Sequence, residues 1–165
     1  MYKLLGGILI ILSGGCLGFL KSFRMKKRIN SLTSSLVAFK KMSAEISFTN
    51  HRLERILGDI SKETSLPLFF DTSLLIKEKG IKKAWDLSLN ERKDEMALTD
   101  NDIITFKKFP EIFDYTGATQ QKSFDTFLKL LTLSKSDAEN EYKKTGKLIK
   151  SGGFLLSLLV VILLY

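Results

Sequence analysis

The chain has 165 residues, a formal net charge of +8 and a single cysteine, Cys16. This length favours one domain, and one cysteine excludes an intramolecular disulfide. The placement of charge argues against a nucleic-acid-binding module, because residues 29–142 hold 16 Lys+Arg against 18 Asp+Glu, a net charge of −2. Such a module would carry its basic residues across the folded domain, so no nucleic-acid partner is expected.

The first predicted element is an uncharged apolar run over residues 4–20. Seventeen residues are the lower limit for a helix that spans a bilayer. A cleaved signal peptide, a lipoprotein signal ending at Cys16 and a buried core helix are the alternatives. Five basic residues follow the run, which is the wrong side for a signal peptide. They are Lys21, Arg24, Lys26, Lys27 and Arg28.

Glycines in this run fall on one helical face, at Gly7, Gly14 and Gly18. In lipid, small residues let a second helix approach closely, so that van der Waals packing holds the pair. The predicted counterparts near the other end are Ser151, Gly152, Gly153 and Ser157. The alternative interpretation is that glycine is simply frequent in membrane helices.

The next elements are predicted to be helices. Apolar residues from Ile29 onward follow a 3-4 spacing and predict one long helix to about Gly58. Pro67 suits the first turn of the next helix, which we expect to end near Gly80. A third helix is predicted over residues 81–90.

Helical periodicity continues through the second half of the chain. Thr99 or Asp100 is the predicted N-cap of the following helix, and Pro110 interrupts or kinks it. After Gly117 the helical period runs straight into the terminal apolar stretch. No strand alternation of convincing length is present. The sequence therefore predicts an all-α antiparallel helical bundle.

The last stretch carries no charged side chain after Lys150. Its fifteen residues would rise about 22 Å as a helix, against roughly 30 Å for the hydrocarbon core of a bilayer. We interpret it as a short membrane helix that ends with Tyr165 at the far interface. A buried core helix is the alternative that length alone favours. Basic residues again precede the stretch, at Lys143, Lys144, Lys147 and Lys150.

These patterns define a predicted membrane topology. The two basic clusters lie on the inner sides of the two apolar stretches, as expected for cytoplasmic flanks in contact with anionic lipids of the inner leaflet. We therefore expect an N-terminal transmembrane helix at residues 1–21, a cytoplasmic bundle of about six helices at 22–150 and a C-terminal transmembrane helix at 151–165.

Residues that could support catalysis are sparse. The one histidine, His51, has no cysteine near it in the sequence, and Glu54 is an ordinary surface neighbour. Gly152-Gly153 lacks the preceding strand and the Gly-Lys-Ser/Thr signature of a phosphate-binding loop. The sequence therefore predicts no enzyme activity, with no catalytic, cofactor-binding or metal-binding residue.

Several motifs resemble those of a known family. Glu45, Ile46 and Phe48 form a Glu-Ile-x-aromatic motif, and Trp85 is the clearest point of likeness in residues 61–90. Near the end the chain has Tyr-x-x-x-Gly followed by Gly-Gly-Phe-Leu, with Tyr142, Gly146 and Phe154. In this order and at these separations, the motifs are similar to those of the stage III sporulation protein AB family of endospore-forming bacteria. The family usually has Pro-Leu where this chain has Arg52-Leu53.

The resemblance implies a fold and a role. It implies a six-helix cytoplasmic bundle between two membrane helices, similar to the cytoplasmic domains of platform proteins in type II secretion and type IV pilus machines. It also implies membership of the channel complex that joins mother cell and forespore, with a secretion-type ATPase as the cytoplasmic partner. A second copy of the chain is a further candidate partner.

We therefore expect a membrane-anchored assembly subunit, or scaffold, in the mother-cell membrane around the forespore, with no cofactor. Two alternatives remain at this point. One is a lipid-anchored or cleaved extracytoplasmic helical protein, and the other is a soluble basic nucleic-acid-binding module.

Overall fold

The computed structural model describes residues 2–48 and 53–164, and every regular element in these ranges is helical. The all-α fold class is therefore confirmed. The α-helices are α1 Tyr2–Phe48, α2 Leu53–Thr64, α3 Pro67–Arg92, α4 Asp100–Lys107, α5 Gly117–Glu141 and α6 Lys147–Leu164. A 3-10 helix, Phe109–Asp114, follows α4, and a π-helical turn, Tyr142–Gly146, joins α5 to α6.

The chain forms two compact units. The central unit is Asn30–Ser136, and the terminal unit is made of Met1–Ile29 and Asp137–Tyr165. These units are defined by packing alone. The predicted boundaries after residues 21 and 150 concern the membrane, so they stay a prediction.

The second helix lies back against the first within the central unit. Lys41 on α1 forms an ion pair with Glu63 on α2. In one straight helix these two residues would be about 33 Å apart. The predicted single helix to about Gly58 is therefore wrong. Residues 49–52, which include His51 and Arg52, lie outside the described residues.

The physical reason for this error is that two apolar faces are directed at the same core. Leu32 and Phe39 on α1 are buried, and so are Ile56, Leu57 and Ile60 on α2. Both faces have helical spacing, so the spacing alone does not distinguish one helix from two that fold together.

The third helix is divided at Gly80, as the sequence predicts. Leu66 has an extended backbone with φ −95° and ψ 107°, and Pro67 then begins α3. Gly80 leaves the helical conformation with φ 70° and ψ 164°, a region that glycine adopts readily. After this kink the chain doubles back, because the side chains of Asp71 and Arg92 meet at 2.6 Å.

The fourth helix begins with a capping box. The backbone N–H of Thr99 donates to Asp102 Oδ2 at 2.9 Å, and the backbone N–H of Asp102 donates to the Thr99 hydroxyl at 3.4 Å. Thr99, one of the two predicted N-caps, is therefore confirmed. Pro110 lies in the 3-10 helix, beyond the end of α4.

The core of the central unit is an aromatic cluster around Phe39. This ring is fully buried, and it packs against Phe127 at 4.7 Å and Phe109 at 4.8 Å between ring centroids. Trp85 is also buried, and its indole N–H donates to the carbonyl oxygen of Phe106 at 2.9 Å. Rings from four of the helices and from the 3-10 helix meet here, so aromatic packing fixes how these elements fit together. The rings around Phe39 are Phe69, Trp85, Phe106, Phe109 and Phe127.

Candidate functional site

The candidate site is the terminal unit, where α6 packs against the first part of α1. The helices approach most closely at Gly14, Gly18 and Gly153. A Cβ atom placed on Gly153 would lie 2.5 Å from the carbonyl oxygen of Gly14 and 3.2 Å from the Cα of Gly18. A Cβ on Gly14 would lie 2.7 Å from the Cβ of Ser157. Since real Cβ atoms do not approach so closely, this contact requires glycine at both positions.

The other predicted packing glycines have different surroundings. A Cβ on Gly152 would meet no atom within 4 Å, and Gly7 is buried. The structure thus brings together Gly14, Gly18 and Gly153, and it leaves Gly152 beside the contact. A role for these glycines inside lipid stays a prediction.

The buried serine on α6 is satisfied locally. Ser157 is 6% exposed, and its hydroxyl lies within hydrogen-bond distance of two carbonyl oxygens of its own helix. It can donate to Phe154 at 2.9 Å or to Gly153 at 3.0 Å. A polar side chain in apolar surroundings needs such a partner, since water is not there to provide one.

Large apolar side chains cover the outward surface of both helices. Leu17 on α1 is 69% exposed and Leu163 on α6 is 78% exposed. Such a surface is typical of contact with lipid or with another protein, because exposing it to water is unfavourable. The exposed set is Leu9, Leu12, Leu17, Phe19, Leu20 and Phe23 on α1 and Leu148, Phe154, Leu155, Leu156, Leu158, Leu159, Ile162 and Leu163 on α6.

Within the described residues, one helical stretch is long and apolar enough to cross a membrane. It lies within Gly117–Leu163, and only 12% of its apolar window is buried. Length and composition alone are weak support for a membrane span. The low burial nevertheless distinguishes it from the core helix of a water-soluble protein, which would be mostly covered.

Directly before α6, a tyrosine lies between a glycine and a lysine. The ring of Tyr142 packs over Gly146, where an added Cβ would lie 2.4 Å from Tyr142 Cδ2. Lys26 Nζ lies 5.7 Å from the centroid of the same ring, within the range of a cation–π contact. The Tyr-x-x-x-Gly motif thus has a packing role in this turn.

An ion pair lies beside this tyrosine. Arg28 Nη1 donates to Glu141 Oε2 at 2.8 Å, and the Arg28 side chain is only 11% exposed. A guanidinium this buried needs an anionic partner, because burying a charge without one is unfavourable. Arg28 therefore differs from the other predicted membrane-surface residues, since its charge is used inside the protein.

The remaining basic residues next to the apolar stretches face outward. Lys21, Arg24, Lys26 and Lys27 are exposed on α1. On the other segment, Lys143 and Lys144 are exposed in the π-helical turn. The side chains of Lys147 and Lys150 lie outside the described part of the chain.

The other family-motif residues have separate positions. Trp85 belongs to the aromatic core, and Glu45 and Ile46 are half-buried near the end of α1. The side chain of Phe48 lies outside the described part of the chain. Phe154 on α6 is half-exposed and would contact a Cβ placed on Gly15 at 3.9 Å.

Electrostatic contacts cross the surface of the central unit. The Glu63 carboxylate accepts a hydrogen bond from Lys41 and raises the pKa of that lysine, with a smaller contribution from Glu45. Lys82 pairs with Asp114 at 2.7 Å, and this hydrogen bond raises the pKa of Lys82. Both lysines are exposed at the surface, so these pairs mainly orient the helices they join.

Chemistry beyond packing has little support in the described residues. Among them, no group of three or more His, Cys, Asp or Glu side chains could hold a metal ion. An open groove of about 340 Å³ lies between the 3-10 helix and α5, with Ile112, Tyr115 and Phe127 in its lining. Its lining is mostly apolar, and it contains no histidine or cysteine.

Sequence reasoning missed the ion pair of Arg28 with Glu141 and the π-helical turn. The ion pair joins residues far apart in the chain, so no local pattern could indicate it. The turn did have a local signal. Tyr142 and Gly146 are four residues apart, so a large ring stands next to a position without a side chain on the same helical face.

These features define an all-α protein with a bundle core and a closely packed pair of apolar terminal helices. Comparison with known proteins gives the family. The model of the family "Stage III sporulation protein AB (spore_III_AB)" matches residues 3–165. The chain is 31% identical over 170 residues to the stage III sporulation protein AB of Bacillus subtilis (strain 168), covering 99% of both chains.

A solved structure is similar as well. The chain resembles a structure of stage III sporulation protein AB (SpoIIIAB) with a TM-score of 0.64 and 26% sequence identity. The match covers 70% of this chain and 96% of that one. The chain therefore belongs to the stage III sporulation protein AB family, as its motifs predict.

Proposed function

We propose that the protein is a membrane-anchored, non-enzymatic assembly subunit of the channel complex between mother cell and forespore. Both ends of the chain enter the mother-cell membrane, and the central helices face the cytoplasm. The partners are anionic lipids of the inner leaflet, the other channel proteins and a secretion-type ATPase. Membership of a sporulation family supports the setting.

The observation that carries the proposal is the exposed apolar surface of the terminal pair. Close packing at Gly14 and Gly153 brings the helices together, yet large side chains such as Leu17 and Leu163 still point outward. Leaving apolar surface in water costs about 25 cal/mol for every Å². A bilayer removes this cost without requiring a further protein layer.

Charge supports the proposed orientation. The exposed cations follow the apolar part of α1 and precede the apolar part of α6, so both clusters lie on the same side of the proposed membrane. Cytoplasmic flanks are enriched in Lys and Arg, and anionic headgroups attract each such residue by about 1 kcal/mol. The central unit lies between the two clusters in the sequence, so the proposal assigns it to the same side.

The proposed mechanism is positional. The paired helices hold the bundle at the inner leaflet, and the bundle presents a surface on which the ATPase and other channel subunits assemble. Ion pairs on that surface, such as those of Lys41 and Lys82, orient its helices. The sequence and the described residues offer no catalytic group for a chemical step, so we assign none.

Cysteine labelling tests the topology. In a Cys16→Ser background, Asp94→Cys places a thiol in the exposed turn after α3, and Leu163→Cys places one near the end of α6. The variants are produced in growing cells, and protoplasts are treated with a maleimide that cannot cross membranes. We expect Asp94→Cys to react only after the cells are permeabilised.

The second variant is the matched control. Leu163→Cys should react in intact protoplasts, which proves that the reagent reaches the outer face. Reaction of Asp94→Cys in intact protoplasts would instead place the bundle outside and support an extracytoplasmic protein.

A further inference from the structure

The helix that leaves the bundle does not continue regularly into α6. Between α5 and α6 the backbone forms a π-helical turn, Tyr142–Gly146. A π-helical turn within an α-helix accommodates one residue more than an α-helical turn. We propose that this extra residue sets the rotation of α6, so that its glycine face meets α1. The proposal concerns the geometry of the chain and holds whether or not the proposed function is correct.

Before the turn, the contacts define which side of the helix faces α1. Glu141 pairs with Arg28, and the ammonium group of Lys26 lies over the Tyr142 ring. Ala138 lies between these two directions on the helix surface and is 2% exposed. The α1-facing side of this segment is therefore centred near Ala138.

After the turn, a second set of contacts defines the α1-facing side of α6. Gly153 lies against Gly14 and Gly18, and Ser157 lies against Gly14. The face of α6 that meets α1 is therefore centred between Gly153 and Ser157.

An unbroken α-helix would not place these two faces on the same side. At about 100° per residue, Gly153 and Ser157 would lie about 60° and 100° around the helix from Ala138. The π-helical turn absorbs one residue, so one residue fewer contributes to the rotation. Gly153 then lies about 40° from Ala138 in the opposite direction, and Ser157 lies at the same angle as Ala138. The single extra residue in the turn therefore allows the end of α5 and α6 to pack on the same side of α1.

Side chains stabilise the wide turn itself. The Tyr142 ring fills the space over Gly146, where a methyl group would collide with it. The hydroxyl of Thr145 donates to the carbonyl oxygen of Glu141 at 2.7 Å. This bond satisfies an acceptor at the place where the regular helical hydrogen-bond ladder is interrupted.

The inference predicts unequal effects of a deletion and an insertion at one site. Deleting Thr145 should turn the π-helical turn into a regular α-helical turn and keep the Gly153 face on α1. Inserting one alanine after Thr145 adds a residue that the turn does not accommodate, so α6 rotates by about 100°. If the turn had no such role, both changes would misalign the faces to a similar degree.

Cross-linking measures the alignment. Leu17→Cys and Leu156→Cys, in a Cys16→Ser background, place thiols on the two sides of the groove between α1 and α6. The full-length chain in detergent is treated with a short bis-maleimide. We expect the cross-link to be retained after the deletion and lost after the insertion, and an equal response of the two variants would overturn the proposal.

Folding is monitored in the same samples. Trp85 is the single tryptophan and is buried, so a red shift of its emission reports unfolding of the central unit. Deletion of Lys143 provides a second variant with the same expected register. If both deletions unfold the protein, the turn does not absorb a lost residue, and the proposal is wrong.

Discussion

Two fully buried serines in the central unit lack a hydrogen-bond partner among the described residues. These are Ser35 on α1 and Ser88 on α3. An unpaired buried hydroxyl costs about 1–3 kcal/mol. Each serine therefore lowers the stability of the bundle relative to a residue of similar size without the hydroxyl.

We predict that Ser88→Ala raises the free energy of unfolding by about 1 kcal/mol, because it removes the unpaired hydroxyl and leaves only a small void. Urea unfolding followed by circular dichroism measures the change. Ser61→Ala is the matched control, since Ser61 is also buried in a helix but donates to the carbonyl oxygen of Gly58 at 2.7 Å. Equal effects of the two substitutions would refute the explanation.

The terminal helices approach closely at only some of their glycines. Gly153→Ala would force a methyl group to within 2.5 Å of the Gly14 carbonyl oxygen, whereas a methyl group on Gly152 would meet nothing within 4 Å. Overpacking of this kind costs about 1–3 kcal/mol. We predict that Gly153→Ala strongly reduces the cross-link between cysteines at positions 17 and 156.

The neighbouring glycine provides the comparison. Gly152→Ala should leave the cross-link unchanged, because alanine also favours the helix. If Gly152→Ala reduced it as much as Gly153→Ala, general loss of glycine flexibility would explain the result better than close packing.

Local signals predicted part of these elements correctly. Pro67 marked the start of α3, Gly80 marked its kink and Thr99 marked the start of α4. Each signal depends on the backbone preference of one residue or on a side chain close to it in sequence. The spacing of apolar residues also predicted the all-α fold class, and the two terminal apolar stretches were evident from the sequence.

Other features depend on contacts between distant residues, and sequence alone did not predict them. The return of α2 against α1 brings Lys41 and Glu63 together, although they are 22 residues apart in the sequence. The pairing of Arg28 with Glu141 likewise joins two residues that are distant in the sequence. The π-helical turn rotates α6 relative to the end of α5. The need for this rotation becomes clear only when the contacts of both helices with α1 are known.

The proposed role depends on partners. We predict that the tagged full-length chain, extracted in detergent from sporulating cells, co-purifies with the secretion-type ATPase and the other channel proteins. A tagged membrane protein of similar size from the same cells is the control. Deleting the gene should arrest forespore development and prevent assembly of the other channel proteins, and normal assembly without it would contradict a scaffold role.

The aromatic cluster around Phe39 has a consequence for synthesis on the ribosome. Phe39 emerges early, but its contact with Phe127 forms only after most of the chain has been made. Contacts between residues so distant in sequence slow folding, and domains start to fold only when their parts have emerged. If the first apolar segment enters the bilayer as proposed, it is delivered there while the future core is still incomplete, so insertion would precede bundle formation.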